Sequence, residues 1–330
     1  MIWLTWRQFR TQAVVALAAL AALATYLVIL GYQMRNAYAT DIVGCQPADC
    51  VSARRDFADA YEVQVALIGA LLIGVPALIG AFWGAPLITR ELEERTDRLV
   101  WNQSITRVRW LAVKLALLIL ISMAVTGLYS LLLTWSASRY DELVGDRFGA
   151  LAFASRNIAP IGYAAFAFLL GTVIGLLVRR TLPAMALTLV LFAVIQVFMP
   201  IALRQHLMTP VTSTVQLDEE AIERADFMGF DQNGARLDGY TMPGAWSLTS
   251  TSRVFNADGT PYTTEQTEQC RQSDRQTAMA CTARQNLHFS YTYQPADRYW
   301  RFQWIELSAF LGLALLLTGF GLWRIRTYSS

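Results

Sequence analysis

Few residues in this chain of 330 could carry chemistry. Only one of the 27 basic residues is a lysine, Lys114, and Leu115 follows it. A phosphate-binding P-loop needs lysine followed by Ser or Thr after a glycine-rich turn, so the chain cannot hold nucleotide in that way. The two histidines are His206 and His288, and the four cysteines are Cys45, Cys50, Cys270 and Cys281. They assemble no Ser/His/Asp, Cys/His or metal-ligand constellation, so the sequence predicts neither an enzyme nor a metal centre. Two cysteines share the segment CQPADC and two lie 11 residues apart near the end. Of the three connectivities four cysteines allow, local pairing of Cys45 with Cys50 and of Cys270 with Cys281 is expected over free thiols or a zinc site using His288.

The elements that place these residues follow from composition. At 55% hydrophobic and 16% charged, the chain is too apolar for an ordinary soluble domain. Its net charge of +2 points neither to nucleic acid nor to an acidic substrate. A helix needs about 20 apolar residues to cross about 30 Å of hydrocarbon. Six stretches qualify, running approximately from Ala13 to Tyr32, Val63 to Trp83, Leu111 to Trp135, Ala159 to Val178, Leu182 to Ala202 and Ile305 to Trp323. The second lies in an uncharged segment from Val63 to Thr89 with Pro76 and Pro86, which predicts a kink or a bent exit. The first run is long enough to span and ends in no small-residue cleavage site, so it is expected to stay as a helix.

With the N-terminus inside, the inner segments collect Arg7 and Arg10, then Arg90, Arg95, Arg98, Arg107 and Arg109, then Arg179 and Arg180, then Arg324 and Arg326. The short outer loops carry fewer basic residues, partly offset by acids, so both termini are expected on the cytoplasmic side. All four cysteines then fall outside, where an oxidising compartment permits disulfides. The polar stretch from Leu203 to Gln303 is large enough for a small external domain. Within it, Phe289, Tyr291 and Tyr293 alternate with Ser290 and Thr292 as a half-buried strand closed by Pro295, and Leu217 to Ala225 reads as a short helix.

The span centres hold no ionisable residue, which disfavours a channel or an ion-coupled carrier. Glu306 comes nearest, at the outer end of the sixth stretch, and is expected in an interfacial ion pair beside Arg298 and Arg301. Gly80 with Gly84 and Gly171 with Gly175 are small-xxx-small pairs, expected to serve packing inside the chain. The most informative inner segment is GAPLITRELEERTDRLVWNQSITRVRWLAVKL, Gly84 to Leu115. It opens as an amphipathic helix with Leu92, Leu99 and Val100 on one face and Glu91, Glu94, Arg95 and Arg98 on the other.

Arg90 with Glu91, then Thr96, then Ser104 to Arg107, then Lys114 form a pattern that resembles the six-helix permeases of ABC exporters, the ABCG-like (type V) class. Arg95 stands where glycine is commoner in that class, and Ile105 lacks a neighbouring proline. The opening MIWLTWRQFR resembles the class's interfacial helix, and QPADRYWRFQWIE, Gln294 to Glu306, resembles the entry to the last helix in actinobacterial members.

The resemblance implies an all-α integral membrane protein. Six transmembrane helices would follow an N-terminal interfacial helix, with a small α+β extracellular domain between helices 5 and 6. The expected divisions are 1–202 for the first five helices, 203–303 for the external domain and 304–330 for the last helix and tail. It also implies a plasma-membrane permease subunit with no cofactor of its own, paired with a separate ABC ATPase that binds ATP and Mg, and with a second permease copy or a sister permease in the bilayer. Arg90, Glu91, Glu94, Arg95 and Arg98 would meet the ATPase. Pro76, Phe82, Phe192, Gln196, Phe198 and Met199, on the second and fifth helices, would line the path. The rival reading is a membrane sensor or assembly protein whose external domain binds a ligand. An amphipathic or apolar cargo suits the aromatic and aliphatic span faces.

Overall fold

In the computed structural model, residues 2–45, 50–93, 107–270 and 275–327 are described. The first helix, α1 (Ile2–Ala37), contains neither Gly nor Pro before Gly31, so nothing breaks it. The N-terminal segment expected as an interfacial helix is continuous with the helix that enters the first candidate span, Ala18–Ile42. A wider turn, Tyr38–Ile42, follows, with the amide of Val43 bonded to the carbonyl of Tyr38 at 3.1 Å.

Helix α2 (Cys50–Ile79) passes Pro76 without ending. It continues through a second wide turn, Gly80–Gly84, into α3 (Pro86–Glu93), where Pro86 takes the first helical position. The irregularity expected in this long uncharged segment therefore falls at Gly80–Gly84, and Ser52–Arg90 forms one 39-residue candidate span. Helix α4 (Arg107–Ser136) carries the third span, and two short helices follow, α5 (Ser138–Val144) and α6 (Ala150–Ser155). Helix α7 (Ala159–Val178) stops where Arg179 adopts a left-handed φ of 58°, its amide on the carbonyl of Gly175 at 3.0 Å. One extended residue, Arg180, then starts α8 (Thr181–Phe198).

Two apolar clusters can be traced among the described residues of the bundle. One gathers Ile79, Leu87, Ile88, Leu115, Phe168, Leu169 and Ile325, and the other Leu27, Leu30, Met34, Phe57, Leu72, Tyr129 and Leu133. Arg35 fastens the end of the first span to that of the third: it donates to the carbonyls of Gly31 and Trp135 at 3.0 and 2.7 Å and lies 4.0 Å over the Trp135 ring.

A second compact unit consists of Pro200–Phe302 together with Gly145–Gly149. Its sheet is antiparallel, in the order β1 (Val211–Gln216), β6 (His288–Gln294), β5 (Thr251–Phe255), β3 (Gly234–Asp238), β2 (Phe227–Asp231), with β4 (Trp246–Ser247) also on β6. The alternation along β6 buries Phe289 and Tyr291 among Leu217, Leu237, Tyr240, Val254 and Tyr262. Helix α9 (Glu219–Glu223) is capped by Asp218, whose carboxylate accepts the Ala221 amide at 2.7 Å. Two further short helices, α10 (Thr264–Glu268) and α11 (Arg275–Ala283), precede β6. The last helix, α12 (Tyr299–Arg326), carries the sixth candidate span.

Candidate functional site

Four glycines bring the second and fourth spans together. A Cβ on Gly80 or Gly84 would sit under 3.0 Å from the carbonyls of Ala167 or Phe168, and a Cβ on Gly171 or Gly175 would crowd the carbonyls of Gly80 or Ala85 as closely. The two small-xxx-small pairs therefore interlock with each other, backbone against backbone. The contact falls on the wide turn, where the amide of Ala85 bonds to the carbonyl of Gly80 at 2.9 Å, five residues back instead of four.

Below this contact, α3 meets the turn between α7 and α8. Thr89 is fully buried, and its hydroxyl lies 2.9 Å from that of Thr181. Thr181 donates its amide to Glu93 Oε1 at 2.9 Å and its hydroxyl to Oε2 at 2.7 Å. The N-terminus of α8 needs an acceptor, since Arg180 occupies the cap position and makes no side-chain cap bond. Glu93 supplies one from another helix. The Thr181 amide, then its hydroxyl, with Arg180 and Arg90 adding positive charge, hold the Glu93 carboxyl below its ordinary value of 4.5.

Of the residues expected to meet a partner, Arg90 is exposed on α3. Glu91 lies within the α3 backbone, while Glu94, Arg95 and Arg98 lie outside the described residues. Sequence reasoning passed over Glu93. Its only signal was indirect: a helix start at Arg180–Thr181 without a local acceptor, 88 residues away.

The six residues expected on a path divide. Phe82 and Phe198 face outward at 51% and 55% exposure. Phe192 and Met199 are packed inside the chain, with Phe192 6.5 Å from the ring of Phe166, and Pro76 is buried. These three pack within their own subunit. Gln196 is half-buried, and its side-chain oxygen has no hydrogen-bond partner among the described residues. Phe82 also lines an apolar groove of about 290 Å³ with Trp83, Leu20, Val75, Leu78 and Val125.

Glu306 is fully buried and accepts a hydrogen bond from the Tyr163 hydroxyl on α7. Arg298 donates to the carbonyl of Thr209 and to Gln294 Oε1 at 2.6 and 2.8 Å. The cysteines pair locally: Cys45 with Cys50 and Cys270 with Cys281, at Cα separations of 5.3 and 5.4 Å.

No curated protein and no solved structure matches the chain. A family model described as ABC-2 membrane transporter related matches residues 17–204, more than half of the chain and all of its first five candidate spans up to Arg204. With this match over more than half of its length, and with six helices among the described residues long and apolar enough to cross a bilayer, the chain belongs to the ABC-2 membrane transporter related family.

Proposed function

We propose that the chain is the permease subunit of an ATP-driven ABC exporter of the ABCG-like (type V) kind, resembling actinobacterial members. In this reading it forms the translocation path as a dimer, with itself or a sister permease, and leaves ATP and Mg to a separate ATPase chain. The observation that carries the reading is the family match across the candidate spans. It favours a transport subunit over a sensor or assembly protein. The chain itself is no enzyme in this scheme, because its single lysine, Lys114, sits in VKLAL and cannot complete a P-loop.

The arginine distribution orients the subunit with both termini and α3 on the cytoplasmic side of the plasma membrane and Pro200–Phe302 outside. Arg90, Glu91, Glu94, Arg95 and Arg98 then belong to the surface that meets the ATPase. Phe82, Gln196 and Phe198 are the path residues whose side chains are not packed into the core. The cargo is an amphipathic or apolar compound, matched by outward Leu, Val and Phe side chains.

Purification from its native membrane tests this reading. An ATPase with a P-loop should copurify, and the reconstituted complex should move an apolar dye in an ATP-dependent way. A chain that copurifies with no ATPase and supports no ATP-driven transport would overturn it. Single-cysteine labelling with an impermeant reagent tests the orientation: it should reach exposed positions in 210–265 and not Arg90→Cys. The reverse pattern refutes the assignment of sides.

A further inference from the structure

Helix α8 is held weakly by its own subunit. Only 17% of its most apolar window is buried inside the chain, against 83% for α7, so fewer of its side chains fix its place. The cap from Glu93 is therefore more than a local helix stop. It joins α8 to α3, a segment otherwise seated on α7 through Ala85, Leu87, Ile88 and Thr89, all buried.

We propose that Glu93 is a positioning residue that fastens α3 to the first turn of α8, so that a displacement of α3 moves the fifth span with it. The proposal rests on the permease reading for its purpose but not for its geometry. Two bonds from Thr181 reach both oxygens of one carboxylate, and the buried Thr89 hydroxyl closes the contact from the side. A charged acceptor on a helix N-terminus is a directional joint: it resists both sliding and rotation of α8 against α3. The two Thr181 bonds first, and then the charges of Arg180 and Arg90, favour the ionised carboxylate. The joint consequently persists to a pH below the ordinary glutamate range and fails only as pH falls through the lowered value.

The joint itself is read by hydrogen exchange in the purified chain, with no need of a partner. Glu93→Ala should speed exchange of the Thr181 amide, while the amides of Ala165 to Leu169 in α7 stay as protected as in wild type. Glu93→Gln, whose amide oxygen still accepts one bond, should fall between the two. Unchanged Thr181 exchange in Glu93→Ala overturns the proposal.

Its use is read in the complex. Glu93→Ala should reach the membrane and bind the ATPase normally but lose cargo-stimulated ATPase activity by about fivefold or more. Since all four native cysteines are disulfide-bonded, Thr89→Cys with Thr181→Cys gives one engineered pair that can be cross-linked. The cross-linked protein should transport at close to the wild-type rate, because the joint stays closed through the cycle. If cross-linking abolishes transport while the reduced pair is active, the two elements must separate and the proposal fails. A wild-type complex with no ATP-driven transport would overturn the permease reading and leave the exchange experiment to decide the joint.

Discussion

Helices α7 and α8 are neighbours joined by two residues and almost equally apolar, with mean hydropathies of 2.2 and 2.4 over their spans, yet 83% of one window is buried inside the chain and 17% of the other. Hydropathy says only that both accept an apolar medium. Residue size separates them. Helix α7 carries Gly162, Gly171 and Gly175 with Ala164, Ala165 and Ala167, all buried, so other helices approach its backbone. Helix α8 turns Leu187, Val190, Val194, Val197 and Phe198 outward and buries Ala184, Thr188 and Phe192. Without a hydrophobic force between helices in lipid, close contact is the available source of cohesion, and small residues mark where it occurs.

The largest effect should come from filling that contact. Gly171→Leu forces a side chain into the Gly80 carbonyl, and the second and fourth spans cannot both keep their places. Size-exclusion chromatography in detergent should show no monodisperse protein, whereas Val194→Leu on the outward face of α8 should elute as wild type. Equal behaviour of the two would break the contrast.

The same contrast can be drawn within α8. Phe192→Ala should lower stability by about 3–5 kcal/mol, as for a buried aromatic. Phe198→Ala should stay within about 0.5 kcal/mol in thermal melting of the isolated subunit. A large loss for Phe198→Ala would show that its outward face is covered in the particle measured, and would point to the second permease copy.

Removing the Cys270–Cys281 bond by paired serine substitutions frees a loop of 11 residues. It should cost the sheet unit about 2–4 kcal/mol, read as faster exchange across β6, with the spans unaffected. The smallest effect is expected at Asp258. Its carboxyl is held below the ordinary 3.8 by the Thr260 hydroxyl and then the Thr260 amide, at 2.7 and 3.0 Å. That contribution is present above 3.8 and is lost as pH falls through the lowered value. Asp258→Asn should therefore speed exchange of the Thr260 amide at neutral pH and match wild type in acid.

What the sequence made legible was periodic or compositional. Charge-free stretches located the six candidate spans because hydrocarbon tolerates few charges anywhere along a helix. Phe289, Tyr291 and Tyr293 disclosed β6 through their alternation, although pairing of β6 with β1, β5 and β4 depends on contacts up to 82 residues apart in sequence, as between Val211 and Tyr293. The glycine pairs were visible as pairs, but not that each was the other's partner. Phe192 and Phe198 look alike in sequence, and only the packing of Phe166 against one of them tells them apart. Glu306 beside two arginines suggested an interface, and the buried Tyr163 on a distant helix could not be foreseen. Glu93 lay among six other acids and arginines from Arg90 to Arg98, and its selection depends on Thr181 at the start of α8.

The wide turn at Gly80–Gly84 can also be counted as a phase. Closing its ring five residues back accommodates one residue more than a regular helix would there. In genetic terms that is a single surplus codon. The turn absorbs that residue, so α3 leaves it in the phase that a regular helix one residue shorter would give. Deleting one codon there should leave Thr89 and Glu93 facing Thr181. The same deletion inside α3, where no wide turn takes it up, should swing Glu93 by about 100° and open the joint.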